Sequence, residues 1–434
     1  MFRRGSLTAA AAIAPFVLFA CSGAWSKASV QAGAKPVVTP LKSSGIYDVS
    51  EKVGWTISGS GIYNYVAKKN NHTQLSSGVV NLSKSSAGDT AKIEFEVKEP
   101  CMVYLEVTET GGKPMAFGAA VAPTKLRPVV PAPADFDEFW RGKIAELRKV
   151  PENPVVTPGE SGKPDLSYSL VQMDHLNGTK VYGQLAKPSK TGKYPALLVL
   201  QWASPPYPLD KSWATNPAAG GWLVLNIQPH NVPVSGPPEV FSGVLPEIKN
   251  YGSIGQRDRD RNYFVEMYLR GYRAVDFLAR HPEWDRQTIV VTGGSMGGQQ
   301  SFAVAGLHPR VTHMMANEPA GCDLNGPNHG RQNSYPFYPT GDAQAMATAG
   351  YIDAVNFAPR IRATCLVSMG FIDTATAPAG IWTAFNQIKG PKVAAPMIDA
   401  AHNNIATWEQ QQPYYSRQSE WMKALAAGDK VDLK

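Results

Sequence analysis

Cysteine is scarce in this chain of 434 residues: there are 4, at Cys21, Cys101, Cys322 and Cys365. So few exclude a disulfide-built scaffold. No Cys-x-x-Cys or His-x-x-x-His spacing offers a zinc site, and no Gly-x-Gly-x-x-Gly opens a helix. Neither a metal nor a dinucleotide cofactor is therefore expected. Dense charge of one sign is also missing. The formal net charge is only +7, part of it Arg3 and Arg4, and the remaining Lys and Arg are scattered. Nucleic-acid binding needs a basic stripe, so no nucleic-acid partner is expected. Beyond Leu7–Ala20 no apolar run is long enough to span a bilayer.

What is present is globular. The hydrophobic fraction is 43% and the charged fraction 18%, with 39 Gly and 35 Pro for turns. The length suggests two or three domains of about 100–250 residues each. The N-terminus has the layout of an export signal: Arg3-Arg4, an apolar stretch, then small residues. Two processing routes stay open. Leu18-Phe19-Ala20-Cys21 resembles a lipoprotein box with a lipid anchor on Cys21, and signal peptidase could instead cut after Ala24 or Ala28. A periplasmic, secreted or lipid-anchored location is expected. Of the later cysteines, Cys322 and Cys365 fall in or near core strands and are expected as buried free thiols.

The pattern changes along the chain. Residues 1–24 read as signal peptide and 25–44 as a tether rich in small and polar residues. From 45 to 122, runs such as Val53-Gly-Trp-Thr-Ile and Met102-Val-Tyr-Leu-Glu-Val alternate with period two. They predict a small all-β sandwich of immunoglobulin-like type. Pro123, Pro128, Pro131 and Pro133 make 123–134 a stiff linker. Asp135 then predicts a helix cap, with Glu138 completing a capping box and Phe136, Phe139, Trp140, Ile144 and Leu147 forming an apolar face. Residues 135–430 alternate strands and helices. Asn177-Gly178 predicts a hairpin turn. Ala196–Trp202, Trp222–Ile227 and Thr288–Thr292 are continuous apolar runs, as strands buried on both faces require. Tyr263–Arg280 is an amphipathic helix. Helices are also expected over Gln299–Leu307, Ala379–Gln387 and Ser416–Ala427, with strands over Val311–Ala316, Thr364–Met369 and Val393–Ile398. This rhythm predicts an α/β fold with a mostly parallel sheet.

The chemical signal is Gly293-Gly294-Ser295-Met296-Gly297. Gly-x-Ser-x-Gly alone is weak, but here it lies between a buried strand and a helix, the setting of a nucleophile elbow. A serine hydroxyl needs a base, and in an α/β-hydrolase the order is Ser, acid, His. His402 directly follows the last predicted strand, where parallel sheets build their sites. His308, His313 and His329 are weaker candidates. Asp373, just past the strand Thr364–Met369, is the expected acid, with Asp399, Asp323 and Asp342 as competitors. The backbone N–H of Met296 is one expected oxyanion donor, and Ala203 or Trp202 supplies the second. Trp202, Tyr207 and His230 are expected near the mouth of the site as substrate contacts.

Several stretches together resemble the acetyl xylan esterase and cephalosporin-C deacetylase family of α/β-hydrolases. They are Asp135-Phe-Asp-Glu-Phe-Trp140, Arg270-Gly-Tyr-Arg-Ala-Val-Asp-Phe-Leu-Ala279, Val291-Thr-Gly-Gly-Ser-Met-Gly-Gly298, Met369-Gly-Phe-Ile-Asp-Thr374 and Gly390-Pro-Lys392. The resemblance runs from Asp135 to about His402. It implies Ser295, Asp373 and His402 as the triad, Ala203 as an oxyanion donor, and removal of small acyl groups, usually acetyl, from oligo- or polysaccharides. The family's ring-like assembly implies a homo-oligomer. Three features depart from the family: Met296 stands where Gln is usual, Ile227-Gln-Pro-His230 replaces an Arg-Gly-Gln stretch, and a β-domain precedes Pro123. Two other functions fit parts of the pattern. A prolyl-oligopeptidase-like peptidase also couples a β-rich N-terminal domain to this fold, and a hydrolase scaffold can serve as a non-catalytic binding protein.

Overall fold

A computed structural model describes residues 35–82, 90–202 and 206–434. The expected signal peptide, Cys21 and Ala203 lie outside the described residues. Residues 36–434 form one compact unit.

The N-terminal part is all β. Its strands are β1 (Val37–Pro40), β2 (Ile46–Tyr47), β3 (Lys52–Ser58), β4 (Ile62–Lys69), β5 (Thr73–Asn81), β6 (Thr90–Glu96), β7 (Cys101–Glu109) and β8 (Pro114–Val121). They form a three-stranded sheet, β1-β3-β6, and a five-stranded sheet, β2-β8-β7-β4-β5. Period-two alternation points Val53, Trp55 and Ile57 of β3 and Val103, Leu105 and Val107 of β7 into one shared core. The first strand begins at Val37, inside the stretch read as a tether. Its Val-Val-Thr-Pro edge pairs with β3 but is too short to show a period.

Next come α1 (Phe136–Arg148), β9 (Val155–Gly159), β10 (Leu166–Asp174), β11 (Lys180–Pro188), β12 (Tyr194–Leu200), α2 (Ser212–Ala219), β13 (Leu223–Ile227), α3 (Pro238–Ile248) and α4 (Tyr263–Arg280). They are followed by β14 (Trp284–Gly294), α5 (Met296–Leu307), β15 (His313–Asn317), α6 (Ala343–Ile352), α7 (Ala354–Phe357), β16 (Thr364–Gly370), α8 (Pro378–Gln387), β17 (Lys392–Met397) and α9 (Trp408–Ala426). The nine-stranded sheet runs β17-β16-β15-β14-β12-β13-β11-β10-β9. From β13 to β17 neighbours are parallel, and β9, β10 and β11 close one side antiparallel. This is an α/β-hydrolase sheet preceded by β-sheets.

Helix α4 is buried on most sides because it serves two cores. Ala274, Val275 and Leu278 pack with the sheet, while Phe264, Tyr268 and Tyr272 pack with Phe136, Phe139 and Trp140 of α1. Its Arg273 guanidinium caps the end of α1, donating to Leu147 O at 2.8 Å and Val150 O at 3.1 Å. The capping box expected at Asp135 does not form. Its carboxylate instead accepts from Arg259 Nη1 and the Tyr351 hydroxyl, both at 2.5 Å, so tertiary partners outcompete the local cap.

The Pro-rich segment is docked rather than free. Asn386 Nδ2 donates to Pro123 O at 2.8 Å and Leu126 O at 3.0 Å, and Leu126 is buried. The N-terminal sheet also leans on the large one. Met102 and Ala120 join the core of the large sheet. Gly118 lies so close to Phe371 that a Cβ there would sit 2.4 Å from Phe371 Cβ.

Candidate active site

Each residue of the site is delivered by the C-terminal end of a parallel strand. Strand β14 ends at Gly294, Ser295 forms the turn, and α5 starts at Met296. Ser295 has φ 53° and ψ −117°, a strained backbone for a residue with a side chain. Three backbone hydrogen bonds hold it: Ser295 N donates to Asn317 O and Ala320 N to Ser295 O, each at 2.9 Å, and Gln299 N donates to Ser295 O at 3.1 Å. The flanking glycines are sterically required. A Cβ on Gly293 would lie 2.5 Å from Leu200 O, and one on Gly297 2.1 Å from the same atom. The turn thus packs directly on the end of β12.

Asp373 follows β16 and is buried. Its Oδ1 accepts from the backbone N–H of Ala375 at 2.7 Å and Thr376 at 2.8 Å. Its Oδ2 accepts the Thr376 hydroxyl at 2.6 Å and lies 2.7 Å from His402 Nδ1. His402, in the loop after β17, brings Nε2 to 3.0 Å from Ser295 Oγ. With Nδ1–H donated to Asp373, Nε2 is left as an acceptor facing the serine hydroxyl. The structure therefore brings together Ser295, His402 and Asp373, which the sequence analysis had singled out. Three of the competing residues are occupied elsewhere. Asp342 caps α6 through Gln344 N and Ala345 N, Asp323 pairs with Arg331, and His308 meets Asp276.

Met296 is the first residue of α5, and its N–H belongs to the first turn, where no intrahelical partner exists. Ser295 opens onto a cavity of about 1090 Å³ whose wall includes Trp202, Trp213, Tyr251, Trp408, Tyr415 and His402. Trp202 is 43% exposed. It stacks on Tyr207 with ring centres 5.0 Å apart and meets Trp213 edge-on at 5.1 Å. Trp408 stacks on Tyr415 at 5.0 Å. Tyr207 is half-buried, with its hydroxyl on Trp202 O at 2.8 Å. His230, expected at the mouth, is buried one layer back. Its Nδ1 engages the Tyr263 hydroxyl at 2.7 Å, and its ring packs on Tyr251, which does line the cavity.

Sequence reasoning passed over Trp213, Trp408 and Glu318. The Glu318 carboxyl is buried beside the triad, and with Asp373 and His402 it brings possible ligand atoms within 4.8 Å of one another. Burial first, and then the charge of Asp373, push its pKa well above the usual carboxylate range. Asp373 Oδ2 and His402 Nδ1 are already committed to each other, so the cluster has the form of a proton-transfer site. The signal available in sequence was position alone: a glutamate directly after a buried strand, on the rim that carries the other groups.

Residues 123–419 match the acetyl xylan esterase (AXE1) family. The chain belongs to that family, which consists of carboxylic ester hydrolases. Its N-terminal sheets precede the matched region. The acetyl esterase Axe7A of Xylanibacter ruminicola is 30% identical over 304 residues, covering 68% of this chain and 69% of that protein. Among solved structures, the acetyl xylan esterase from Paenibacillus sp. R4 superposes with a TM-score of 0.58 at 22% identity, covering 70% of this chain and 98% of that one. Acetyl xylan esterase 1 from Thermoanaerobacterium sp. JW/SL YS485 gives 0.55 at 23% identity, covering 65% and 92%. These two likenesses support the shared fold.

Proposed function

We propose that the chain is an exported serine esterase that removes acetyl groups from acetylated oligo- or polysaccharides through an acyl-enzyme on Ser295. The observation that carries the reading is the relay from Ser295 Oγ to His402 Nε2 at 3.0 Å and from His402 Nδ1 to Asp373 Oδ2 at 2.7 Å, in a chain of the acetyl xylan esterase family.

His402 Nε2 takes the Ser295 proton as Oγ attacks the acetyl carbonyl, and Asp373 stabilises the imidazolium. The oxyanion falls to the Met296 N–H at the start of α5, with Ala203 as the second donor. The imidazolium then returns its proton to the departing sugar hydroxyl. Water, deprotonated by the same imidazole, releases acetate. The cavity is far larger than an acetyl group, and the exposed face of Trp202 beside Trp213 offers a flat apolar platform for a sugar ring. Export rests on Arg3-Arg4 and the apolar run after them, with a lipid anchor at Cys21 as one form of it.

The test is acetate release from acetylated xylan, chitin-derived and pectic oligosaccharides, with Ser295→Ala as control. Release that disappears in the variant, together with fluorophosphonate labelling of Ser295, is expected. Cleavage of aminoacyl anilides without acetate release would favour a peptidase.

A further inference from the structure

We infer that Glu318 is a standby acid for His402, a second carboxyl that can hold the imidazole when Asp373 does not carry the charge. This rests on the triad reading above and extends it.

Glu318 follows β15 directly and so reaches the same rim as Ser295 and Asp373. Its side chain is 0% exposed, and Oε2 lies 3.9 Å from His402 Nδ1, the atom that Asp373 Oδ2 reaches at 2.7 Å. A movement of about 1 Å would bring it into hydrogen-bond range. Its backbone sits at φ 44°, in the left-handed region. The N–H is pinned there by Ser368 Oγ at 2.9 Å, and that hydroxyl donates to Asn317 Oδ1 at 2.5 Å. Space for the carboxyl is made by Gly370, where a Cβ would come within 2.5 Å of Glu318 Oε1. Neither carboxyl oxygen has a hydrogen-bond partner of ordinary geometry. A buried acid without a hydrogen bond of ordinary geometry costs stability, and an apolar side chain would fill the space without that cost.

The groups facing Glu318 fix when it can act. Asp373 comes from the loop after β16, His402 and the Asn403 backbone N–H from the loop after β17, and Tyr415 from α9. Burial first, and then the charge of Asp373, keep Glu318 protonated. Without Asp373 the repulsion goes and the imidazolium remains as an opposite charge, and both changes favour the carboxylate. Glu318 then loses its proton to solvent and accepts the His402 Nδ1–H.

The experiment follows 4-nitrophenyl acetate hydrolysis by the full chain across pH. It compares the wild type with Asp373→Ala, Glu318→Gln, the double variant and Ser295→Ala, with thermal unfolding to check that each folds. Loss of a triad acid costs about 10⁴ in kcat elsewhere. Here Asp373→Ala is expected to lose roughly 10², with the remaining activity rising toward alkaline pH as Glu318 ionises. Adding Glu318→Gln then removes about a further 10² and flattens that limb, whereas the same change beside an intact Asp373 costs less than about tenfold. A purely structural Glu318 would cost the same factor in both backgrounds. Asp373→Asn is the second variant if the alanine form does not fold. Equal activity of the Asp373 variant and the double variant at every pH would overturn the inference. Activity surviving in Ser295→Ala would instead bring down the triad reading itself.

Discussion

The two β-built regions of this molecule bury very different side chains. Among the described residues before Pro123, the buried polar side chain is Asn70, whose Oδ1 accepts from Met102 N at 2.9 Å. The large sheet and its helices bury Arg270, Arg273, Glu318, Asp323, Asp353, Asp373 and His402. Burial, and then the charge of Asp323, push Asp353 up to about 7, against the backbone N–H groups of Val355, Leu324 and Asp323 that lower it. Buried charge is costly wherever it is not fully paired. The first region is thus built for packing, and the second accepts that cost at the rim where chemistry is possible. The regions nevertheless meet at the acid loop. Gln332 N donates to Asn70 O at 3.0 Å, Asn71 Nδ2 reaches Gln332 Oε1 at 2.6 Å, and Gln332 Nε2 holds Asp373 O at 3.1 Å.

The contrast can be broken from either side. His402→Ala is expected to lower kcat by about 10³ or more while leaving thermal unfolding nearly unchanged, and an equal loss of stability would erase the distinction. Trp55→Ala, in the N-terminal core, is expected to cost about 3–5 kcal/mol. Calorimetry then tells whether that loss lowers one shared transition or splits off an early one. Gly118→Val drives a side chain into Phe371, two residues before Asp373. About 1–3 kcal/mol of stability and roughly tenfold or more in kcat are expected to go together, and intact activity would show that the regions are mechanically independent.

The pH dependence of stability sharpens the contrast from the catalytic side. Glu318 is raised, so the folded chain keeps a proton that the unfolded chain releases above the ordinary carboxylate range. Its contribution is complete at low pH and is lost as pH rises toward its elevated folded pKa. Glu318→Gln removes that slope. Its unfolding free energy, equal to wild type near pH 4, is expected to exceed it increasingly up to pH 8, by on the order of 1–3 kcal/mol, read by denaturant unfolding at each pH. The smallest effect is expected for Gln332→Ala, about 0.5–1.5 kcal/mol with a several-fold loss in kcat, read by steady-state kinetics.

What could be read from sequence was what local pattern encodes. Continuous apolar runs located β12, β13 and β14, and the 3.6-residue period located Tyr263–Arg280 at its observed ends. Ser295 was legible because an elbow needs glycines on both sides, and His402 and Asp373 because strand ends on one rim converge. Strand β5 was missed because Ser and Gln occupy both of its largely exposed faces. Helix α9 was read from Ser416, yet it begins at Trp408. There Thr407 and Gln410 form a capping box, and Pro413 is tolerated inside the helix. The Asp135 carboxylate, the docking of 123–134, the inward position of His230 and the meaning of Glu318 all depend on partners from about 20 to over 200 residues away, which no local window contains.

Met102 and Ala120 sit on strands whose opposite faces are also covered, so β7 and β8 act as a middle layer rather than an outer wall. Cutting the chain at Pro123 would peel that layer off and leave Phe371 and its apolar neighbours bare to water. Such a shortened protein should stick to itself, and dynamic light scattering would register the clumping before any assay did.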